Sequence, residues 1–132
     1  MKRNTPQTYR NEQGQTLTEF AMVLPILLLV LFGVIQLGIV FNNYVTVTDA
    51  ARAGARKAVV SRQAASPASV TATAVRNSAS NLDQSKLGVT VTSTWQQGTD
   101  VSVTATYPYE ITLLGIVVKS GNLSSKTTER LE

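Results

Sequence analysis

The chain has no cysteine and no histidine. The first absence excludes disulfides and thiolate metal sites, and the second removes the commonest catalytic base and the commonest metal ligand. Aromatic residues make up only 6% of the chain, with a single Trp, and charged residues only 15%. The formal net charge is +4, but no basic aromatic patch gathers it, so no nucleic acid partner is expected. Gly-rich phosphate loops are missing. The acidic residues, among them Glu12, Asp49, Asp83, Asp100, Glu110 and Glu129, show no acid pair at a telling spacing. Ser and Thr are abundant, yet there is no His to activate them. A Ser–Lys pair stays open as a possibility in space, without a signature to mark one. The expectation is a protein that is not an enzyme and takes neither cofactor nor metal.

What the chain does have is one long apolar run. Phe20–Phe41 spans 22 residues with no charge and one clearly polar side chain, Gln36. As a helix it would rise about 33 Å, enough to cross a hydrocarbon core of about 30 Å. Pro25 removes one backbone donor and should kink or soften that helix, which bilayer helices tolerate where neighbours re-satisfy the freed carbonyl. Gly33 and Gly38 permit close approach of another helix. They stand five apart, not in GxxxG, and small residues also occur in spans that have no partner.

The run divides the chain into a leader (1–14), a transmembrane helix (15–41) and an extracytoplasmic α/β part (42–132). The leader, MKRNTPQTYRNEQG, is polar and mildly basic with no apolar periodicity, and is expected to be disordered. A secretory signal places its apolar region before the cleavage site. Here Gly14 precedes the run, and the small residues after it, Ala50-Ala51-Arg52-Ala53, follow a run too long for an ordinary signal peptide. Lys2, Arg3 and Arg10 on one flank nearly balance Arg52, Arg56 and Lys57 on the other, so charge does not decide orientation. A cytoplasmic N-terminus is expected because the leader is short and the other side carries a folded part.

Beyond the run, Val40, Tyr44, Val47, Ala51, Gly54 and Ala58 recur by fours and threes, which places them on one helical stripe. Asp49, Arg52, Arg56 and Gln63 fall opposite. The stripe needs a cover, either the chain's own sheet or another subunit. Pro67 suits the first position of a second helix with Ser66 as its N-cap, and the pattern continues to about Asn81. Its expected buried arc is Val70, Ala74, Val75, Ser78 and Leu82. Two period-two runs, Val89–Trp95 and Val101–Tyr107, joined through Gln97-Gly98, read as a hairpin with Trp95 as a core anchor. Pro108 is expected to end the second strand. Ile111–Val118 is too short for a second span and reads as a buried helical turn or as a surface touching membrane or a partner. Gly121-Asn122 reads as a turn, and Leu123–Arg130 as a final, edge-like strand. The expected fold class is therefore α+β and membrane-anchored. It has a long N-terminal helix, half transmembrane and half amphipathic, a second shorter helix, and a small antiparallel sheet of about three strands.

The mouth of the span carries the residues of most interest. Glu19 stands directly before Phe20, five residues after Gly14. If the chain were cut after Gly14, Gln15 would carry a new α-amino group at the membrane surface and Glu19 would be the fifth residue. A carboxylate there can meet the amine of a neighbouring chain, since either charge left alone in lipid is costly. The same Glu also complements the helix macrodipole, and Thr16-Leu17-Thr18-Glu19 fits a capping box.

The pattern G-x-x-x-x-E-F before an apolar helix resembles the processing site of type IV prepilins. The longer string GQTLTEFAMVLPILLLVLFGVIQLG…DAARAGAR, within Gly14–Arg56, resembles the TadE-like pseudopilins of tight-adherence pilus systems. The major pilin subunit of those systems usually has a Tyr five residues after the Phe, where this chain has Pro25, and it is shorter. The resemblance is therefore to a minor pilin or pseudopilin. It implies cleavage between Gly14 and Gln15 by a prepilin peptidase, an assembly role for Glu19, and a part for Phe20 in presenting the site. In prepilins the new N-terminal residue is often methylated; Gln15 stands where that residue is usually Phe. Helix packing is expected at Pro25, Gly33, Gly38, Tyr44, Val47 and Ala51. Expected partners are the prepilin peptidase, other pilins or pseudopilins, the assembly platform and the bacterial inner membrane, with the C-terminal part extracytoplasmic. The alternative is a single-span periplasmic binding or interaction module unrelated to pili.

Overall fold

The computed structural model describes the backbone of residues 11–132 and the side chains of residues 14–132. Its elements are α1 (Asn11–Val60), α2 (Pro67–Ser78), β1 (Gly88–Thr92), β2 (Asp100–Leu113) and β3 (Ile116–Arg130). The chain divides into two compact units, Met1–Ile35 and Gln36–Glu132, and α1 supplies residues to both. The leader was expected to be disordered through residue 14. Its first ten residues lie outside the described ones, and residues 11–14 are helical, opening α1.

In the first unit the described residues form α1 alone. The apolar side chains from Phe20 to Ile35 lie exposed around the helix, as no other described residue of this unit packs on them. α1 continues through Pro25. Among the described residues, α1 is the one helix long and apolar enough to cross a membrane.

The second unit holds the core. α1 contributes Val47, Ala50, Ala51, Ala55 and Ala58, all fully buried, and Gly54 fits between Val75 of α2 and Val103 of β2. The periodic stripe thus finds its cover within its own chain, from α2 and the sheet, at and beyond Val47. Tyr44, placed on the same stripe, is 45% exposed. Asp49 and Arg52 point to solvent as a 3.6 Å ion pair. Such an exposed i, i+3 pair contributes about 0.2–0.5 kcal/mol, so apolar packing and not charge seats this part of the helix.

α2 differs from expectation in its ends and its face. It stops at Ser78, and Ser66 makes no side-chain cap hydrogen bond. Instead the Ser66 carbonyl accepts from Val70 N–H (3.2 Å) and from the Ser69 hydroxyl (3.0 Å). The buried positions are Thr71, Val75, Ala79 and Leu82. The expected arc placed Val70 and Ser78 inside and omitted Thr71. Thr71 is tolerated there because its hydroxyl donates to Pro67 O at 2.8 Å, which leaves only its methyl side for the core.

The sheet is an antiparallel meander in the order β1-β2-β3. Val89 faces Ala105 and Val91 faces Val103, so the hairpin pairs as its period predicts. β1 ends at Thr92, short of Trp95, because Trp95 takes a left-handed φ of 58° and leads into a loop closed by Thr99 N to Gln96 O (3.1 Å). Trp95 is half-buried against the rim of the core. Val101, Val103 and Ala105 point inward from β2.

Three expectations for the C-terminal third are corrected. Pro108 does not end β2, which runs on to Leu113. β1 has already stopped at the Gly88–Thr106 pair, so one side of β2 is an edge there, and a missing donor on that side costs no ladder bond. Ile111–Val118 is not a buried helical turn. It is the tip of a β2–β3 hairpin whose turn residues, Leu114 and Gly115, both have positive φ (51° and 81°). That pattern is a type I′ turn, the two-residue loop that suits strand twist. Gly121-Asn122 is not a turn but part of β3, where Gly121 and Asn122 face Tyr109 and Pro108. After β3, Leu131 is fully buried and tied at both backbone groups, N to Thr99 O (2.8 Å) and O from Gly98 N (2.7 Å).

Candidate assembly and processing site

Residues 14–20 form two turns of α1. Gly14 is exposed, and a Cβ added to it would meet nothing within 4 Å. The bond after Gly14 therefore lies in helical backbone, with open space where a Gly14 side chain would stand. Thr18 donates its hydroxyl to Gly14 O at 2.9 Å, an i→i−4 bond that holds this carbonyl in the helical arrangement.

One turn further, Gln15 and Glu19 share a face. Gln15 Nε2 donates to Glu19 Oε1 at 3.2 Å, and both side chains are exposed. This is a neutral donor on an acidic acceptor, weaker than a bond in which both partners are charged. Phe20, next in the chain, is 59% exposed. The site thus brings together four of the residues singled out in the sequence: the Gly14–Gln15 pair, an acid one turn on, and an aromatic side chain at the start of the apolar surface.

The helix-packing residues divide between the units. In the first, Pro25 is inside the helix and Gly33 has no neighbour within 4 Å of an added Cβ. In the second, Gly38 is likewise open, and with Leu37, Val40, Phe41 and Tyr44 it lines a shallow apolar groove on the helix surface. Val47 and Ala51, by contrast, are buried in the core of their own chain. The structure puts them in intramolecular packing.

Elsewhere in the second unit the concavities are small. One lies between Lys57 and the Ser69–Asn77 face of α2, another between Lys86 and Tyr107, Pro108 and Glu110. No group of three or more potential metal ligands occurs among the described residues. Asp83 has a carboxyl held below its ordinary value, first by the Ser85 hydroxyl (2.6 Å), then by Ser85 N–H (3.0 Å), with Lys86 adding charge at 4.0 Å. These contacts shape the turn between α2 and β1 and form no site.

Sequence reasoning did not find the bond from Thr18 to Gly14 or the one from Gln15 to Glu19. The i, i+4 spacing of both pairs was the signal that would have shown them.

Residues 14–56, about a third of the chain, match the model of the TadE-like protein family. That segment begins at Gly14 and contains the whole candidate site. No curated protein and no solved structure matches the chain.

Proposed function

We propose that this chain, TadE-like over residues 14–56, is a minor pilin or pseudopilin that takes part in building a tight-adherence pilus. The carrying observation is the order of its parts: an exposed Gly14–Gln15 pair, an exposed Glu19 one turn on, and an exposed apolar helix directly after it, all inside the matched segment.

In this reading the chain inserts into the inner membrane with its N-terminus cytoplasmic and residues 42–132 outside the cytoplasm. A prepilin peptidase then cuts between Gly14 and Gln15. Before the cut, the Gln15 amide occupies Glu19. After it, Gln15 bears an ammonium. The helix of one protomer sets Glu19 against that ammonium on the next, where low dielectric makes an unpaired charge costly and a paired one specific for register. Phe20 and the open notches at Gly33 and Gly38 serve the contact between helices. Other pilins or pseudopilins and the assembly platform are the partners.

Glu19→Gln tests this. It keeps the shape and a hydrogen-bonding group but removes the charge. Membrane insertion and leader removal should stay normal while incorporation into pilus assemblies is lost, read by fractionation and pulldown with the other pilins. Unchanged incorporation would overturn the assembly role of Glu19, and absence of the unsubstituted chain from pilus assemblies would favour a membrane-anchored periplasmic binding module.

A further inference from the structure

The β2–β3 hairpin extends well past the core. β1 stops pairing at Gly88–Thr106, and from Tyr107 onward β2 has β3 alone. The result is a two-stranded arm ending at Leu114 and Gly115. Every residue from Ile116 to Asn122 is exposed, so neither face of that strand is covered. The tip is nonetheless apolar: Leu114 is 81% exposed and Ile116 71%, with Val117 and Val118 beside them. Uncovered apolar clusters of this kind mark a surface that meets something.

The turn chemistry points the same way. The first position of a type I′ turn favours Asn, Asp or Gly, which accept positive φ. Here Leu114 takes it, at φ 51°. A bulky side chain is placed where a small polar one folds more easily, and it is the most exposed large apolar residue of the second unit.

The arm leaves the core at one identifiable end of the second unit. Asn81 Nδ2 reaches Thr46 Oγ1 of α1 at 3.5 Å, which places the end of the α2 segment beside Thr46. The short turn through Asp83 and Lys86 then leads to Gly88, opposite Thr106, and Lys86 lies against Tyr107, Pro108 and Glu110. Thr46, Lys86 and the root of the arm thus share an end. Phe41, where the apolar run closes, precedes Thr46 by only about 8 Å of helix rise. Leu114 lies four residues beyond Glu110, about 13 Å of strand. The loop Ser93–Thr99 and Leu131 lie at the other end of β2.

We propose that the tip Leu113–Val118 is a second membrane contact, seated at the boundary of headgroups and acyl chains of the bilayer that α1 enters. Lys119, the first charged residue after the tip, reaches the headgroups with its ammonium while its stem stays among apolar groups. Tyr44 on α1, three residues beyond Phe41, sits at the depth where aromatic side chains with a polar end are favoured. Two contacts, one a span and one a hairpin tip, fix how the second unit is turned on the membrane before any partner binds. The proposal rests on reading α1 as a span and is independent of cleavage at Gly14.

The absence of cysteine makes the test direct, since each introduced Cys is the sole thiol. Leu28→Cys, Leu114→Cys, Val117→Cys and Gln97→Cys, each in the full chain, are labelled with an environment-sensitive fluorophore. They are reconstituted in phosphatidylcholine–phosphatidylglycerol vesicles, then quenched by nitroxide-bearing lipid or by aqueous iodide. Labels at Leu114 and Val117 should lose emission to the lipid nitroxide as Leu28 does, while Gln97 responds to iodide alone. Leu114→Asn, favoured by the turn, should keep the far-ultraviolet circular dichroism spectrum and reduce lipid quenching at Val117→Cys. If Leu28 is quenched by lipid but the tip only by iodide, the tip proposal fails and the span stands. If the tip is shielded from both quenchers, a second copy or another protein covers it and the proposal fails. If Leu28 itself escapes lipid quenching, the span reading fails and the tip proposal with it.

Discussion

Gly54 on α1 and Val75 on α2 meet with no room for a methyl group between them. A Cβ on Gly54 would overlap Val75 Cγ2 and lie 3.1 Å from Val103 Cγ1. Gly54→Ala gains about 1 kcal/mol of helix propensity but overpacks the contact at about 1–3 kcal/mol. The expected net result is a lower melting temperature for the detergent-solubilised chain. Val75→Ala should also lower it by opening a cavity, and the double variant should be more stable than the two losses added together. Simple additivity would show that the two residues do not share one space.

Leu131 is the last residue but one, yet it is fully buried and hydrogen-bonded at both backbone groups. Leu131→Ala should cost about 2–5 kcal/mol, the range for a buried Leu that leaves a cavity. Chemical denaturation read by Trp95 fluorescence checks this, since the Trp95 loop closes against the same segment. A loss close to that of an exposed site such as Leu114→Ala would show that the C-terminus is not part of the core.

How far the sequence reaches is clear from these residues. The stripe Val47–Ala58 was legible because a helical face is a local, periodic signal spread over many positions. The β1–β2 pairing was legible for the same reason, since alternation in both runs sets which residues share the inward face. Leu131 was not, because one apolar residue in a polar tail has no period. The arm past Pro108 was missed because a strand's continuation depends on its partner: β3 supplies the pairing that β1 has ceased to give. Thr71 was left out of the expected arc, and the bond to Pro67 O explains how its hydroxyl is accommodated in the core. At the candidate site the positions of Gly14, Glu19 and Phe20 were legible as a motif, whereas the helical state of the Gly14–Gln15 bond was not.

Asp83 offers a pH test outside the membrane span. Its carboxyl is held below the ordinary value by the Ser85 hydroxyl first, then by Ser85 N–H and Lys86. A depressed folded-state value means that the ionised form is favoured on folding. The contribution is complete above the ordinary carboxylate value and disappears as pH falls through the depressed one. Asp83→Ala should therefore lower the melting temperature at neutral pH by a small amount, and the gap should close as pH drops below about 4. A gap independent of pH would assign the effect to the turn's shape and not to the charge.

The most direct measurement is the mass of the N-terminal peptide of the protein isolated from cells that hold a prepilin peptidase and form tight-adherence pili. The account predicts a chain that begins at Gln15 with its α-amine present, and retention of residues 1–14 in Gly14→Ala. A chain that still begins at Met1 while pili assemble normally would contradict it.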